Sequence, residues 1–313
     1  MSNELGFSVA CHLGDVPLLR GCLASIKYFA PDAPICLIID GDFDTRPFEK
    51  RYGVLSIRKK DVRHPELRRL SFGYGVTKMP ALWEGPFERV LHVDADAVLW
   101  GDIRKNLPAE DWDFVHNEPH EVITDYIQRT QYFDPDKVFD HIEYFDWQEN
   151  PYFNSGIFAC RRGCLDLDEY LRMLRLQETN AGMFFQDQAY LNIMVFRASQ
   201  AGRLKRHMVH FQTCVPATEK DELNREFKLS DGHPLLISQP TAIHWAGPKP
   251  YKTNPDVFSL PMDYFREIGM REFGLPKRFP AELAMRLDEF QCRDVPRKIL
   301  KAKQFVKKLI GRQ

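Results

Sequence analysis

Two acidic residues separated by one position, Asp94 and Asp96, follow the candidate strand 89–93. In an extended chain residues i and i+2 point the same way, so both carboxylates can face one point just beyond the end of the strand. Two hard oxygen ligands converging there suit Mg²⁺ or Mn²⁺, with the remaining positions left for water or phosphate. The alternative is that the acids form turn or capping hydrogen bonds, and an Asp-x-Asp pair alone does not decide between these interpretations.

A histidine, His244, ends a second candidate strand and is followed closely by Gly247 and Lys249. A nitrogen ligand beside two carboxylates favours Mn²⁺ over Mg²⁺. A glycine permits close approach of a ligand to the backbone, and a lysine can neutralise a phosphate. A lone histidine near an apolar strand is more often a packed, hydrogen-bonded side chain, so the three candidate ligands are informative only together.

The elements that must position these residues alternate between strand and helix patterns. Buried strands are predicted at 7–11, 35–39, 54–57 and 89–93, with helices at about 16–26 and 76–84. This alternation predicts βαβ units in a mainly parallel sheet, in which ligands bind beyond the carboxyl ends of the strands. The rule places Cys11, His12 and residues 40–42 and 94–96 at one edge. Later strands are predicted at 114–116, 156–160, 208–211 and 242–245, and later helices at 165–178 and 185–197.

Length and composition exclude several classes of protein. The chain has 313 residues, 44% of them hydrophobic and 28% charged, with a formal net charge of −1. This is the composition of a soluble globular protein of one large or two modest domains, not of a disordered or integral membrane protein. No positive surplus exists for nucleic-acid binding. Seven cysteines without a Cys-x-x-Cys pair, and no signal-peptide pattern, predict a reducing, cytoplasmic location.

One segment, residues 132–153, contains eight aromatic side chains interleaved with acidic ones. Two interpretations stay open. The segment is either an inserted loop that packs on itself, or a surface whose aromatic rings stack on sugars while its acids accept hydrogen bonds from hydroxyl groups.

Five segments in order along the chain resemble one enzyme family. Residues 91–99 look like the Asp-x-Asp strand of GT-A nucleotide-sugar glycosyltransferases, above all those of glycosyltransferase family 8, which includes bacterial lipopolysaccharide galactosyl- and glucosyltransferases and the glycogenins. Lys78, sixteen residues before Asp94, matches a basic residue of the family. The other three matching segments are 153–157, 187–192 and 244–251.

This resemblance implies a fold and a division of the chain. The fold would be α/β, a GT-A (Rossmann-like) mixed and mainly parallel sheet flanked by helices. The GT-A domain would cover residues 1–275, with a nucleotide-sugar half at about 1–105 and an acceptor half at about 106–275. Residues 276–313 would form a C-terminal helical extension.

The resemblance also implies a role for each matching residue. Asp94, Asp96 and His244 would bind Mn²⁺ or Mg²⁺ bridging the diphosphate of a UDP-sugar. Further contacts to the nucleotide would come from Cys11, His12, Lys78, Ala95, Gly247 and Lys249. The residues around the donor sugar and the acceptor hydroxyl would be Asn154, Asp187 and Gln188. Family members retain the anomeric configuration, so we expect front-face attack, with Asp187 or Gln188 stabilising the oxocarbenium-like sugar.

The last residues of the chain are strongly basic. Residues 295–313 contain seven lysines and arginines, no acid, and apolar residues at helical spacing. Such a helix either lies in an anionic membrane interface or packs on the domain with a solvated basic face. The first interpretation predicts peripheral attachment of residues 296–313 at the inner face of the membrane.

The sequence therefore predicts a metal-dependent, retaining glycosyltransferase that acts on a glycan or lipid-linked acceptor in bacterial surface polysaccharide synthesis. Two alternatives are a sugar-phosphate nucleotidyltransferase and a catalytically silent nucleotide- or carbohydrate-binding protein. The donor sugar, the acceptor and the oligomeric state are not readable from the sequence.

Overall fold

The computed structural model describes residues 5–73, 75–119, 123–148, 150–296, 298 and 299. The strands are β1 (Leu5–His12), β2 (Ile35–Asp40), β3 (Leu55–Arg58), β4 (Arg89–Val93), β5 (Ala97–Trp100), β6 (Phe114–Asn117), β7 (Ile157–Arg161), β8 (Arg206–Val209), β9 (Gln212–Val215), β10 (Lys228–Ser230), β11 (His233–Leu235) and β12 (Thr241–Trp245). The α-helices are α1 (Val16–Phe29), α2 (Arg46–Tyr52), α3 (Pro65–Leu70), α4 (Ala81–Glu84), α5 (Asp125–Ile127), α6 (Pro135–Val138), α7 (Leu167–Thr179), α8 (Gln186–Gln200), α9 (Lys220–Glu226), α10 (Leu260–Glu272) and α11 (Ala281–Glu289).

No helix within these described ranges is long and apolar enough to cross a membrane. Nearly all of the basic C-terminal segment, including residues 300–313, lies outside the described residues, so its predicted amphipathic helix and membrane contact stay predictions. The predicted domain boundary at 275/276 falls between α10 and α11.

The central sheet has seven strands in the order β3-β2-β1-β4-β7-β6-β8. The pairs β3–β2, β2–β1, β1–β4 and β6–β8 are parallel, and only β7 runs against its neighbours. The predicted mixed, mainly parallel sheet flanked by helices is therefore confirmed. Both faces are buried, since Ile38 of β2 packs in one apolar cluster while Leu37 and Ile39 pack in the other.

A second sheet, with the order β5-β12-β9, explains how distant parts of the sequence meet. The chain leaves the central sheet at the end of β4, turns through residues 94–96 and enters the second sheet as β5. There Ala97 pairs with His244 of β12 in antiparallel register. The turn that carries the two aspartates thus lies directly beside the histidine.

Two predicted elements are corrected. The strand predicted at 208–211 is divided, because β8 ends at Val209 in the central sheet and β9 begins at Gln212 in the second. The Asn117 Oδ1 atom accepts hydrogen bonds from the backbone N–H groups of Phe211 (2.7 Å) and Gln212 (2.9 Å) and stabilises the crossing. The helix predicted at 76–84 consists of a 3₁₀ turn, Val76–Lys78, and the short α4, because Pro80 has no N–H to continue a helix.

The aromatic segment 132–153 contributes mainly to the core. Tyr132, Phe133, Phe145, Tyr152 and Phe153 are each at most 5% exposed. These five rings favour the interpretation of a segment that packs on itself, because a buried ring has no face free for a sugar.

Candidate active site

Asp94 lies at the carboxyl end of β4, and two side chains fix its carboxylate. The Lys78 ammonium contacts its Oδ1 atom at 2.8 Å, and the Nε2 atom of His92 lies 2.9 Å from the same oxygen. Burial opposes ionisation of Asp94, yet the charge of Lys78 and the hydrogen bond from His92 hold the pKa of this carboxyl far below its usual range. Asp94 is therefore an anion in a fixed orientation.

His92 was not predicted as a site residue. Ser8 of β1 lies 2.9 Å from its Nδ1 atom, so the hydroxyl donates there and the Nε2–H donates to Asp94. Burial lowers the pKa of His92, so the ring is neutral and suits this role. The sequence spacing could have indicated this contact, because residues 92 and 94 project from the same face of a strand.

Asp96 and His244 form the second half of the cluster. The His244 Nε2 atom lies 3.4 Å from Asp96 Oδ1 and 3.8 Å from Asp94 Oδ2. Its Nδ1 atom lies 2.9 Å from the amide oxygen of Gln212, so Nδ1–H donates there and Nε2 is left to face the carboxylates. An outer hydrogen bond of this kind orients metal-binding histidines. Gln212 was not predicted as a site residue either, because its contact with His244 depends on the pairing of β9 with β12.

These three residues fit a divalent cation. One ligand atom from each of Asp94, Asp96 and His244 lies within 4.8 Å of the others. The Oδ1 atom of Asp96 is buried without a hydrogen-bond partner among the described residues. The His244 ring faces this oxygen at 3.4 Å without a hydrogen bond, and a metal ion bound to both would satisfy the buried oxygen. Burial alone would lower the pKa of the His244 imidazolium, but the effect of the Asp96 carboxylate is larger and raises this pKa to about 10. Bound metal would replace this proton.

Lys249 approaches the same cluster from the segment after β12. Its ammonium forms an ion pair with Asp96 Oδ2 and donates to the Trp245 carbonyl at 2.6 Å. The Lys249 side chain is one-third exposed. It therefore lies at the surface of the cleft, where it can reach an anionic ligand.

A buried ion-pair network joins the metal-ligand candidates to α8. The Lys78 ammonium contacts Asp187 Oδ2 at 2.9 Å and donates to the Ser155 carbonyl at 3.0 Å, in addition to its contact with Asp94. The Ser155 hydroxyl also donates to Asp187. Burial disfavours the Lys78 ammonium, but the two carboxylates outweigh it and raise its pKa above the ordinary value. Lys78 thus links the carboxyl end of β4 to the first turn of α8.

Gln188 and Asn154 lie beside this network. Gln188 Oε1 accepts from the Ser155 N–H at 3.4 Å, and Asn154 Oδ1 accepts from the Gly156 N–H at 2.8 Å. One turn along α8, the Asn192 amide pairs with both the N–H and the carbonyl of Phe153 at 3.1 and 3.0 Å. This pairing fixes the segment 153–156 against α8.

The site lies between two adjoining cavities. The first, of about 590 Å³, has a wall of predicted catalytic residues, Asn154, Asp187 and Gln188, together with Gly247 and Lys249. The second, of about 500 Å³, has a wall that includes Cys11, His12 and Ala95 at the ends of β1 and β4. The two cavities share Lys78, Asp94, Asp96 and Asp187. All of the predicted site residues therefore line these two adjoining cavities, which together are called the cleft below.

Comparison with known proteins identifies the fold. No protein-family model and no curated protein matches the chain. Among solved structures, the galactosyltransferase LgtC in complex with donor and acceptor sugar analogs matches 87% of this chain and 98% of its own, with a TM-score of 0.54 and 14% identity. The structure of an active-site mutant of LgtC aligns with 90% of this chain over 99% of its own length, with a TM-score of 0.52 and 14% identity. The bifunctional glycosyltransferase WbbM matches 90% of this chain and 51% of its own, with a TM-score of 0.55 and 11% identity. The chain has the GT-A fold.

The GT-A fold places the cluster where ligands bind in open α/β sheets, outside the carboxyl ends of the parallel strands. β1 and β4 end at the cleft, and the antiparallel β7 begins there just after Gly156. The Asp-x-Asp turn is therefore at the centre of this edge.

Gly156 supplies the space that the His244 ring occupies. A Cβ atom at position 156 would lie 2.1 Å from His244 Cε1, far inside van der Waals contact. We therefore expect Gly156→Ala to displace the imidazole and weaken Mn²⁺ binding about tenfold or more, the scale of second-shell changes in metal sites. Calorimetric titration with Mn²⁺ measures the effect, with Asp125→Ala, which removes an exposed ion pair with Arg129, as the control. Equal Mn²⁺ affinity in Gly156→Ala and the wild type would show that His244 is not a ligand.

Proposed function

We propose that this protein is a metal-dependent, retaining glycosyltransferase that moves a sugar from a UDP-sugar to a glycan or lipid-linked acceptor. The observation that carries the proposal is the convergence of Asp94, Asp96 and His244 in a cleft at the strand ends of a GT-A sheet. The structural neighbours named above are glycosyltransferases, one of them bound to donor and acceptor sugar analogs, and this supports the proposal.

The three clustered side chains would hold Mn²⁺ or Mg²⁺. When bound, such an ion supplies Lewis-acid stabilisation of the negative charge that develops on a departing diphosphate. The residues of this chain add to that environment. Lys249 would exchange its ion pair with Asp96 for a phosphate oxygen, and Gly247 would let the phosphate approach the backbone.

Lys78 would act on the donor mainly through the carboxylates that it holds. Its ammonium has three N–H bonds, and Asp94, Asp187 and the Ser155 carbonyl accept them. Its positive charge nevertheless lies next to the proposed metal position and would favour a diphosphate there. Its predicted direct contact with the nucleotide stays a prediction.

Gln188 and Asp187 would act on the sugar itself. Both side chains line the larger cavity, and Asp187 also lines the cavity on the β1 side. Asp187 is committed to Lys78 and Ser155, whereas the Gln188 side chain has only the long contact with the Ser155 N–H among the described hydrogen bonds. We therefore assign to Gln188 the stabilisation of the positively charged sugar that forms as the bond to the diphosphate breaks.

The acceptor would enter on the other wall of the same cavity. Val215 at the end of β9 and the next two residues, Pro216 and Ala217, line this part of the cavity. A role in surface polysaccharide synthesis, attachment of residues 296–313 to an anionic membrane and a cytoplasmic location remain part of the proposal.

The test of this function is an incubation with a panel of nucleotide-sugars and Mn²⁺, followed by detection of the released nucleoside diphosphate. We expect release of UDP from one UDP-sugar and none in excess chelator. Formation of pyrophosphate from a nucleoside triphosphate and a sugar phosphate would identify a nucleotidyltransferase instead. Binding of the nucleotide-sugar without turnover with any acceptor would indicate a silent binding protein.

Gln188→Ala separates a role in turnover from a role in donor binding. We expect kcat to fall about tenfold to a hundredfold while the dissociation constant of the UDP-sugar changes less than about threefold, because the contact strengthens only as positive charge develops. Steady-state kinetics and calorimetry give the two values. Gln200→Ala, an exposed glutamine at the opposite end of α8, is the control. Unchanged kcat would remove Gln188 from the catalytic residues.

A further inference from the structure

A third cavity, of about 370 Å³, joins the proposed donor site to the C-terminal extension. Its wall combines His12 and Asp15 from the end of β1, Lys249 and Tyr251 from the segment after β12, and Arg293 from the extension. His12 and Asp15 also line the cavity on the β1 side, and Lys249 lines the larger one. The third cavity therefore adjoins the region in which the proposed function places a diphosphate.

Arg293 differs from the other cationic side chains of this cavity in having no ion pair with an acid of the described residues. Its guanidinium lies over the Tyr251 ring, 3.4 Å from the ring centroid. No carboxylate of the described residues forms an ion pair with it, whereas Asp15 pairs with His12 at 2.9 Å and Lys249 pairs with Asp96. Stacking on an aromatic face fixes the plane of a guanidinium but leaves its N–H groups free to donate at the edge.

A buried ion pair attaches the C-terminal extension to the rest of the protein. Arg266 of α10 and Glu289 of α11 form an ion pair at 2.7 Å, and both are at most 2% exposed. Both Glu289 oxygens also accept from the Lys252 N–H at 3.0 Å. Glu289 thus ties the start of the helical turn Phe290–Asp294 to the segment that carries Lys249.

Tyr251 connects the same turn to the end of β1. Its hydroxyl donates to the Gly14 carbonyl at 3.3 Å, while Arg293 covers its ring. The positions of β1, the Lys249 segment and the extension are therefore coupled through one side chain. A guanidinium held in this way is preorganised, so little conformational entropy would be lost when an anion binds.

We propose that Arg293 binds the diphosphate of the nucleotide donor, so that the C-terminal extension completes the donor site. This inference rests on the proposed function and adds a binding residue to it. A planar guanidinium donates two parallel hydrogen bonds to a phosphate, which suits a diphosphate between Lys249 and the metal-ligand cluster. The acceptor side of the cleft takes no part in this contact.

The test is calorimetric titration of the full chain with UDP and Mn²⁺. We expect Arg293→Gln to weaken UDP binding about tenfold, the scale of a lost charged hydrogen bond, and Arg293→Lys to weaken it less. Arg286→Gln, an exposed arginine of the same extension paired with Glu282, is the matched control and should bind UDP as the wild type does. In the transfer assay, Arg293→Gln should raise the KM for the donor more than it lowers kcat.

The outcomes separate this inference from the function on which it rests. If the wild type binds UDP and Arg293→Gln binds it equally well, even with a lower melting temperature, then Arg293 only packs on Tyr251 and the inference is wrong. If the wild type binds neither UDP nor another nucleoside diphosphate, the proposed function fails and the inference fails with it.

Discussion

Asp96→Asn should abolish metal-dependent turnover while the fold stays intact. The substitution keeps the size of the side chain but removes the carboxylate whose Oδ1 atom is buried, has no hydrogen-bond partner among the described residues and faces His244. Loss of a ligand that positions a Lewis acid should cost several kcal/mol of transition-state stabilisation, so we expect turnover to fall at least about a hundredfold. Transfer assays over a range of Mn²⁺ concentrations measure this loss.

A surface acid provides the control for this variant. Asp125 is 74% exposed and pairs with Arg129, so Asp125→Ala should leave turnover unchanged. Circular dichroism of both variants should match that of the wild type. Turnover by Asp96→Asn within about threefold of the wild type, at the same Mn²⁺ concentration, would contradict the assignment of Asp96 as a metal ligand.

Lys78→Met should lower the free energy of unfolding by about 3–5 kcal/mol, the usual effect of removing one partner from a buried ion pair. The variant leaves the Asp94 and Asp187 carboxylates close together without the cation that lies between them. Urea denaturation at neutral pH measures the loss. Lys205→Met removes an exposed partner of Asp111 and should cost less than about 1 kcal/mol.

The effect of Lys78→Met should also depend on pH. In the wild type the folded-state pKa of Asp94 is depressed, chiefly by Lys78 against the opposing effect of burial. Its contribution to stability is therefore present above the unfolded pKa, near 3.9, and is lost as the pH falls towards the folded value. The difference between wild type and variant should shrink below about pH 4. A loss under about 1 kcal/mol at neutral pH would mean that Lys78 does not hold the two carboxylates.

The central sheet was predictable because its parallel strands are continuous apolar runs separated by helical patterns. The second sheet was not predictable in the same way. β5 and β9 have four residues each, and both pair with β12, which lies more than 20 residues later in the chain. Such long-range pairing leaves no periodic signal in a short strand.

Within the site, residue types with distinctive chemistry were easier to predict than the residues that orient them. Asp94, Asp96 and His244 were named from their chemistry, and the structure brings them within reach of one ion. Gln212 and Ser155 act through contacts that only the tertiary fold creates. Arg293 lies in the predicted C-terminal extension, before the basic segment 295–313, and its position over Tyr251 depends on the docking of α11.

The most direct test of the central claim is calorimetric titration of the protein with UDP-, GDP- and CMP-sugars, first with Mn²⁺ and then with excess chelator. We expect binding of one UDP-sugar that requires Mn²⁺ and is lost in the Asp96→Asn variant. Binding that is unchanged by chelator would contradict the metal site. If no nucleotide-sugar binds, either with Mn²⁺ or with chelator, the proposed function is wrong and the Asp-x-Asp segment is a structural turn.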